Sequence, residues 1–210
     1  MTNPILQQKQ WVFDRWAPRY DWLFPSVFYQ AIHQRLLTYV QFSDRPQVLD
    51  LGCGTGRLLN RLAAHYPDLQ GTGFDLSPEM IRQARRSNRH RPRLIFVQGN
   101  GEALPFTEEQ FEAVFNTISF LHYPHPERVL TEVRRVLKPE GRFYLADFTP
   151  SCLTQPSFRA SLPGNIQFYS PQSREQLGAQ AGLRCLGHHY LLGPVLLTLF
   201  VPDPAFSASV

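Results

Sequence analysis

A chain of 210 residues, of which 43% are hydrophobic and 18% charged, is long enough to bury one core and too apolar to stay disordered. No apolar run approaches the length of a membrane-spanning helix, and the first residues lack the apolar stretch of a secretory signal, so we expect one soluble, cytoplasmic domain. The net charge of +4 is local, because residues 82–93 hold six of the 21 basic residues; we interpret this run as a solvated helix end rather than a nucleic-acid patch.

The first predicted elements alternate between short β-rich runs and longer segments of helical period. Pro67 ends the first helix, Ser77 and Pro78 begin the second, and residues 138–141 terminate the third. In chain order we predict a strand at 48–51, a helix at 57–66, a strand at 71–76, a helix at 78–87, strands at 94–98 and 113–117, a helix at 127–137 and a strand at 142–148. This order predicts an α/β fold, with a mostly parallel sheet and helices on both faces.

The C-terminal part of the chain departs from this alternation. A predicted helix at 171–181 precedes two apolar runs, 183–191 and 195–201, and strands joined by so short a link must be antiparallel. We therefore predict an antiparallel hairpin at one edge of the sheet. The single domain would comprise an N-terminal helical lid at 1–45, a cofactor-binding core at 46–148, a substrate-side cover at 149–169, and a C-terminal helix and hairpin at 170–210.

The sequence VLDLGCGTG, residues 48–56, places three glycines at alternate positions between a predicted strand and a predicted helix. Such a loop favours a nucleotide-like ligand. A dinucleotide is disfavoured because Arg57 replaces the last glycine of its motif and because the Asp50 carboxylate would repel a pyrophosphate. Asp50 suits a ligand with an ammonium and a sulfonium group, as in S-adenosylmethionine. Asp75 ends the next strand, where a carboxylate can accept hydrogen bonds from both hydroxyls of a ribose.

Four segments, VLDLGCGTG, GFDLSPEMIRQAR, FVQGNGEALPF and RVLKPEGRFYLADF, resemble in order and spacing the class I S-adenosylmethionine-dependent methyltransferases, of the type 11 and quinone-biosynthesis-like small-molecule branch. The resemblance implies a Rossmann-like, seven-stranded sheet, S-adenosylmethionine as methyl donor and S-adenosylhomocysteine as product. It implies binding by Asp50, Gly52, Gly54 and Gly56 around the methionine part, Asp75 on the ribose, Leu76 and Met80 beside the adenine, and Asn100 and Gly101 near the adenine edge. The family usually has Asp in place of Asn100, whose amide can still accept a hydrogen bond from adenine.

Three further positions complete the expected cofactor set. Cys53 lies within the glycine loop and Asn116 ends the fourth predicted strand. FDRWAPRYD, residues 13–21, is similar to the opening of the quinone-biosynthesis C-methyltransferases, in which the tyrosine, here Tyr20, lies over the cofactor. The sequence that follows lacks the Asn-Asp and Ser-x-Gly continuation of that group, so a quinone precursor is only one of the acceptors that we consider.

The acceptor side is predicted from NTISFLHYPHP, residues 116–126, where related enzymes bring the acceptor to the methyl group. This segment has neither the Asn/Asp-Pro-Pro-aromatic sequence of enzymes that methylate base amino groups nor the Pro-Cys of cytosine C5 enzymes, so we expect a small molecule and no nucleic acid. The aromatic residues at 11–29 favour a lipophilic or planar acceptor, and equally a helix pair that packs on the sheet. His122 is the candidate general base; the alternative is that it holds backbone or cofactor.

Two other functions are compatible with parts of this pattern. The glycine loop and Asp75 would equally serve a non-catalytic regulatory protein that binds S-adenosylmethionine or S-adenosylhomocysteine. A nicotinamide dehydrogenase is disfavoured by Arg57 and by the absence of a Tyr-x-x-x-Lys pair, since Lys9 and Lys138 are the only lysines.

Cysteine spacing indicates no metal centre and no disulfide framework. Cys53, Cys152 and Cys185 are odd in number and far apart, and none belongs to a paired Cys-x-x-Cys sequence. We therefore expect three reduced thiols, no bound metal and no stable membrane insertion. The sequence does not indicate an oligomeric state.

Overall fold

The computed structural model describes Gln7, Trp11 and residues 23–149, 157–160 and 166–206. The strands are β1 (Gln47–Leu51), β2 (Gln70–Asp75), β3 (Leu94–Gln98), β4 (Phe111–Thr117), β5 (Leu137–Phe148), β6 (Ser157–Ala160), β7 (Ile166–Tyr169), β8 (Leu183–Leu192) and β9 (Val195–Pro202). The helices are α1 (Leu23–Leu37), α2 (Arg57–His65), α3 (Pro78–Ser87), α4 (Pro126–Val136) and α5 (Pro171–Gln180), with a 3-10 turn at Phe120–His122. No helix in these ranges combines the length and the apolarity needed to cross a bilayer.

Seven strands form one sheet in the order β3-β2-β1-β4-β5-β9-β8. Strands β1 to β5 pair in parallel, whereas β9 is antiparallel to both β5 and β8. The predicted α/β fold with an antiparallel C-terminal hairpin is therefore confirmed. The chain moves outward from β1 to β3 and then returns to β4, so the carboxyl ends of β1 and β4 border the crevice in which open sheets of this kind bind ligands.

Helices cover both faces of the sheet because successive strand residues point to opposite sides. Val48 of β1 belongs to the core beneath α1, α2 and α3, and the next residue, Leu49, belongs to the core beneath α4 and α5. In α4 the buried side chains recur every three or four residues, which places one apolar stripe against the sheet. These side chains are Val129, Leu130, Val133 and Val136.

Two stretches differ from the sequence prediction. The helix predicted at 127–137 is α4, and it ends at Val136. The next residue, Leu137, is fully buried and already begins β5. Leu137 pairs with Phe111 and Arg142 pairs with Ala113, so five steps along β5 match two along β4. Residues 138–141 therefore belong to an irregular part of β5 and do not only terminate the helix. Within the predicted cover at 149–169, β6 and β7 form a small antiparallel sheet that periodicity did not indicate.

Arginines of the basic run bond backbone carbonyls near the amino edge of the sheet. The Arg93 guanidinium donates to Ala63 O, Tyr66 O and Leu69 O, at and just beyond the carboxyl end of α2. Arg85 donates to Phe96 O through two nitrogens. Arg93 therefore holds the end of the neighbouring helix α2, and Arg85 holds strand β3.

Candidate functional site

The glycine loop between β1 and α2 has a conformation that requires residues without side chains. Gly52, Gly54 and Gly56 have φ values of 75°, 52° and 77°, in the left-handed region. The Gly52 N–H donates to Phe74 O over 2.7 Å, which joins the loop to β2. A Cβ atom at Gly52 would overlap Ser119 Oγ. The loop therefore presents bare backbone at the amino end of α2, where negatively charged groups and hydrogen-bond acceptors of a ligand bind favourably.

The carboxylate of Asp75, at the end of β2, is bonded to the same loop. Its Oδ2 accepts from Gly54 N over 2.8 Å, and its Oδ1 accepts from Ser77 N over 2.9 Å. Ser77 in turn caps α3, because its Oγ accepts from Met80 N. A carboxylate has about four lone-pair sites, so Asp75 can accept further hydrogen bonds from ligand hydroxyls while it holds the loop.

Asp50 is a buried acid close to Asp75. Its side chain is 2% exposed, and burial, reinforced by the charge of Asp75, raises its pKa to about 8. His33 of α1 cannot supply a compensating charge, because burial and the nearby Arg61 and Arg57 lower its pKa to about 3. Across the described part of the chain no ion pair involves Asp50. The environment therefore favours a ligand that brings its own positive charge.

A cavity of about 710 Å³, including its open mouth, lies on one side of the glycine loop. It is lined by Leu51, Gly52, Gly54, Phe74, Asp75, Leu76, Met80, Gly99, Asn100, Gly101, Ile118, Ser119, His122, Tyr123 and Pro124. We call it the first cavity. Most of these residues follow the carboxyl ends of β1, β2, β3 and β4, where the fold places ligands.

A second cavity of about 450 Å³ lies on the other side of the loop, and the two share Gly52 and Gly54. The rest of its lining comes from α1, β1, the glycine loop, the start of α2 and the end of β4, as Tyr29, His33, Asp50, Cys53, Thr55, Arg57, Leu58 and Thr117. His33 Nδ1 and Thr117 Oγ1 are buried and have no hydrogen-bond partner among the described residues. Buried polar atoms without partners are costly, so this cavity suits a polar ligand group.

The turn after β4 is fixed against β1 and β5. Asn116 Nδ2 donates to Leu51 O over 2.9 Å and to the Tyr123 hydroxyl over 3.2 Å, and Leu121 N donates to Asp147 Oδ2 over 2.9 Å. Burial raises the pKa of the Tyr123 phenol well above its usual value, so this hydroxyl keeps its proton. The turn presents His122 to the first cavity.

The structure brings together most of the predicted site residues. The first cavity is lined by Gly52, Gly54, Asp75, Leu76, Met80, Asn100, Gly101 and His122, and the second by Asp50 and Cys53. Gly56 instead packs beneath the loop, because its Cβ would lie 2.6 Å from Phe96, and Asn116 bonds to protein atoms. Tyr20 lies outside the described residues.

Asn100, where the resembling family usually has Asp, is partly engaged by its own loop. Its Oδ1 accepts from Glu102 N over 3.1 Å. An amide oxygen has two lone pairs, so one remains for a ligand donor at the rim of the first cavity.

Sequence reasoning did not identify the contribution of α1 to the second cavity. Tyr29 and His33 are four residues apart and therefore lie on the same face of the helix. The neighbouring Ile32 and Leu36 are fully buried, so this face packs on the sheet. The sequence does contain a signal for this contribution. Two side chains with polar ends recur at helical spacing within an otherwise apolar face.

Comparison with known proteins places residues 48–141 in the family described as "Methyltransferase domain". The chain is 36% identical over 141 residues to a malonyl-[acyl-carrier protein] O-methyltransferase of Herminiimonas arsenicoxydans, a match that covers 67% of this chain and 51% of the relative. It is 39% identical over 128 residues to a phthiotriol/phenolphthiotriol dimycocerosates methyltransferase of Mycobacterium tuberculosis, a match that covers 60% of this chain and 46% of the relative. The chain thus spans about half the length of these relatives.

Solved structures share the fold at low sequence identity. A methyltransferase in complex with the Haloferax volcanii Trm112 methyltransferase activator aligns with a TM-score of 0.78 at 22% identity, over 91% of this chain and 97% of that one. DhpI in complex with SAH aligns with a TM-score of 0.74 at 22% identity, over 97% of this chain and 100% of that one. These similarities agree with the strand order described above.

Proposed function

Residues 48–141 form a methyltransferase domain of class I type, and from this premise we propose that the chain transfers the methyl group of S-adenosylmethionine to a small acceptor. One observation carries the proposal. Two cavities meet at bare glycine backbone, with a carboxylate from β1 on one side and one from β2 on the other. This arrangement suits a ligand with an adenosine at one end and a cationic amino acid at the other.

The donor supplies a methyl group on a sulfonium, and the chain's own residues position it. In the first cavity Asp75 would accept from the ribose hydroxyls, and Leu76 and Met80 would contact the adenine. In the second cavity Asp50 would face the positive end of the ligand, and His33 Nδ1 and Thr117 Oγ1 would be available to its polar groups. Most of the rate acceleration then comes from alignment in a site shielded from water, and His122 removes a proton where the acceptor must lose one.

Replacement of Asp75 by alanine should weaken donor binding by about 1.5 to 3 kcal/mol, the range for hydrogen bonds to a charged group. The change removes acceptors for the ribose and the bonds to Gly54 N and Ser77 N. Calorimetric titration with S-adenosylhomocysteine measures it. Asp75→Asn is the matched control, because its amide oxygen keeps one of these acceptor positions and should restore part of the affinity. Wild-type affinity in folded Asp75→Ala would mean that the ribose is held by other groups.

Donor binding should strengthen as the pH rises from 6 to 8. Burial raises the pKa of Asp50 to about 8, so the free protein must lose a proton before this carboxylate can pair with a cation. The need to lose this proton lowers the affinity for the donor by at most about tenfold for each pH unit below that pKa. Titrations with S-adenosylhomocysteine at several pH values should show this slope in the parent protein, and Asp50→Asn should flatten it.

The proton on Asp50 should also make the free energy of unfolding depend on pH. The folded pKa of Asp50 lies above its value in the unfolded chain, so the folded state binds more protons between pH 4 and 8. The free energy of unfolding of the ligand-free protein should therefore fall as the pH rises through this window, and less so in Asp50→Asn. An equal slope in both proteins would contradict the assignment of the proton to Asp50.

For the acceptor we propose a small lipophilic or aromatic molecule. Apolar and aromatic side chains, among them Phe74, Ile118 and Tyr123, line the first cavity beside His122. The relatives are named as methyltransferases of malonyl-[acyl-carrier protein] and of phthiotriol and phenolphthiotriol dimycocerosates. Of the two segments expected to cover the acceptor, 1–45 contributes α1, which borders the second cavity.

Transfer of an isotope-labelled methyl group tests the proposed function. The purified chain is incubated with labelled S-adenosylmethionine and a cell extract, and the labelled product is identified by mass spectrometry. We expect a labelled small molecule whose formation, at a donor concentration that does not saturate the variant, falls sharply in Asp75→Ala. Tight binding of S-adenosylhomocysteine without any labelled product would instead favour the non-catalytic regulatory protein.

A further inference from the structure

Three potential metal ligands converge at the β8 edge of the sheet, and none of them lines either cavity. Glu175 comes from α5, whereas Cys185 and His188 come from β8, and their ligand atoms all lie within 4.8 Å of one another. His188 Nε2 lies 2.7 Å from Glu175 Oε1 and 3.8 Å from Cys185 Sγ. We propose that these three side chains bind a divalent transition-metal ion of borderline softness, such as Zn²⁺.

A bulge in β8 makes the convergence possible. In a regular strand, residues three apart point to opposite faces, so Cys185 and His188 would be separated by the sheet. In this structure Cys185 pairs with Phe200 and Gly187 pairs with Leu199, which leaves one extra residue in β8. The extra residue returns His188 to the side of Cys185. Bulges often re-aim a side chain in this way beside functional sites.

The imidazole of His188 is oriented as metal-binding histidines usually are. Its Nδ1 lies 3.0 Å from the hydroxyl of Thr198, a fully buried residue of β9. The other nitrogen, Nε2, therefore faces the thiol and the carboxylate. A hydrogen bond to the nitrogen that does not bind the metal fixes the ring and is a regular feature of protein metal sites. A surface ion pair between Glu175 and His188 would require neither this bond nor the cysteine.

The distances and donor types fit a four-coordinate ion. Usual metal–ligand lengths put tetrahedral sulfur, nitrogen and oxygen ligands roughly 3.4 to 3.6 Å apart. The Cys185–His188 distance is close to this, and the Glu175 side chain, which is 51% exposed, is free to retreat from its 2.7 Å contact. Its exposure also leaves room for water as the fourth ligand. A mixed sulfur, nitrogen and oxygen set favours Zn²⁺ or Co²⁺ over Mg²⁺ or Ca²⁺.

Binding requires the cysteine to lose its proton. Burial raises the pKa of the Cys185 thiol, and the Glu175 charge adds to the rise, so the thiol holds its proton near neutral pH. When the ion binds, the sulfur–metal bond forms and the proton passes to the buffer. No electron is transferred.

Co²⁺ is the spectroscopic probe for this site. Titration of the chelator-treated chain with Co²⁺ should give, at one equivalent, a thiolate-to-cobalt charge-transfer band and the visible bands of four-coordinate Co²⁺. Zn²⁺ should displace the cobalt and raise the melting temperature of the protein. Cys185→Ser should abolish the charge-transfer band, whereas Cys152→Ser should retain it. Thr198→Val keeps the shape of the side chain and should weaken Co²⁺ binding by roughly 10- to 100-fold.

His189 provides a matched control on the same strand. Its ring packs on Tyr39, with centroids 4.6 Å apart, so His189→Gln should bind Co²⁺ as the parent does. Circular dichroism of each metal-free variant checks the fold. If the parent shows no charge-transfer band at one equivalent, or if Cys185→Ser keeps it, the proposed site is wrong. Methyl transfer is not part of this measurement, so the result does not depend on the proposed function.

Discussion

Turnover should fall by roughly 100- to 10,000-fold when His122 is replaced by alanine, the usual scale for loss of a positioned general base. The imidazole lines the first cavity directly after β4, in a turn held by the bond from His122 N to Ser119 O and by that from Leu121 N to Asp147 Oδ2. Removing the ring deletes the proposed general base beside the site of the methyl acceptor and leaves the glycine loop intact. Donor affinity should therefore change little, and single-turnover assays with labelled donor give the rate.

Two further measurements separate proton removal from packing. At saturating donor, the rate of the parent should rise with pH as the imidazole loses its proton, and His122→Ala should lose this step. His125→Ala is the matched control, because this imidazole lies at the start of α4, 3.5 Å from the Glu127 carboxylate. A loss of less than about tenfold with an unchanged pH profile would make His122 a positioning residue. The acceptor would then be a group that is already nucleophilic, such as a thiol, an amine or a stabilised carbanion.

Replacement of Arg174 by methionine should lower the free energy of unfolding by about 3 to 5 kcal/mol, because it leaves three buried oxygen atoms without their donor and removes the positive charge that acts on the buried Asp147 carboxylate. Arg174 is 1% exposed and donates to Leu196 O, Asp147 O and Thr149 Oγ1. Burial raises the pKa of Asp147 to about 6, while the Arg174 charge acts to lower it. Without Arg174 the Asp147 pKa should rise further. Urea denaturation measures the loss.

A double variant and a surface variant test this interpretation. Adding Asp147→Asn to Arg174→Met removes the unpaired charge and should restore part of the stability. Arg184→Met, at an exposed position of β8, should change stability by no more than about 0.5 kcal/mol. A loss below about 1 kcal/mol for Arg174→Met would mean that water reaches Asp147 once the guanidinium is gone. Since Asp147 also holds the turn before His122, the variant should in addition lower turnover.

Features set by local sequence could be predicted. The glycine loop and its flanking strand and helix depend on residues adjacent in the chain, so Gly52 and Gly54 appear at the cavities as expected. Asp75 could be placed because a parallel strand order fixes which strand ends meet. The same reasoning identified the antiparallel hairpin, whose short link admits no other direction.

Features that depend on distant segments could not be predicted. Arg174 lies in a polar stretch typical of a surface helix, and its burial depends on carbonyls of β5 and β9 more than twenty residues away. His33 enters the second cavity only because α1 packs against the glycine loop. The convergence of Cys185 and His188 follows from a bulge, which sequence periodicity treats as regular strand. Each case reflects tertiary contacts that override local preference.

The irregular shape of β8 also affects how copies of the protein meet at high concentration. An outermost strand exposes unpaired N–H and C=O groups, which can recruit a strand from another molecule and start aggregation. Strand β8 occupies this position, and its register shifts twice, between Cys185 and Gly187 and again between Tyr190 and Leu192. Each shift increases the local twist and interrupts the row of groups that an incoming strand would have to match. The geometry that brings a thiol beside an imidazole thus also makes this edge a poor template for intermolecular sheet growth.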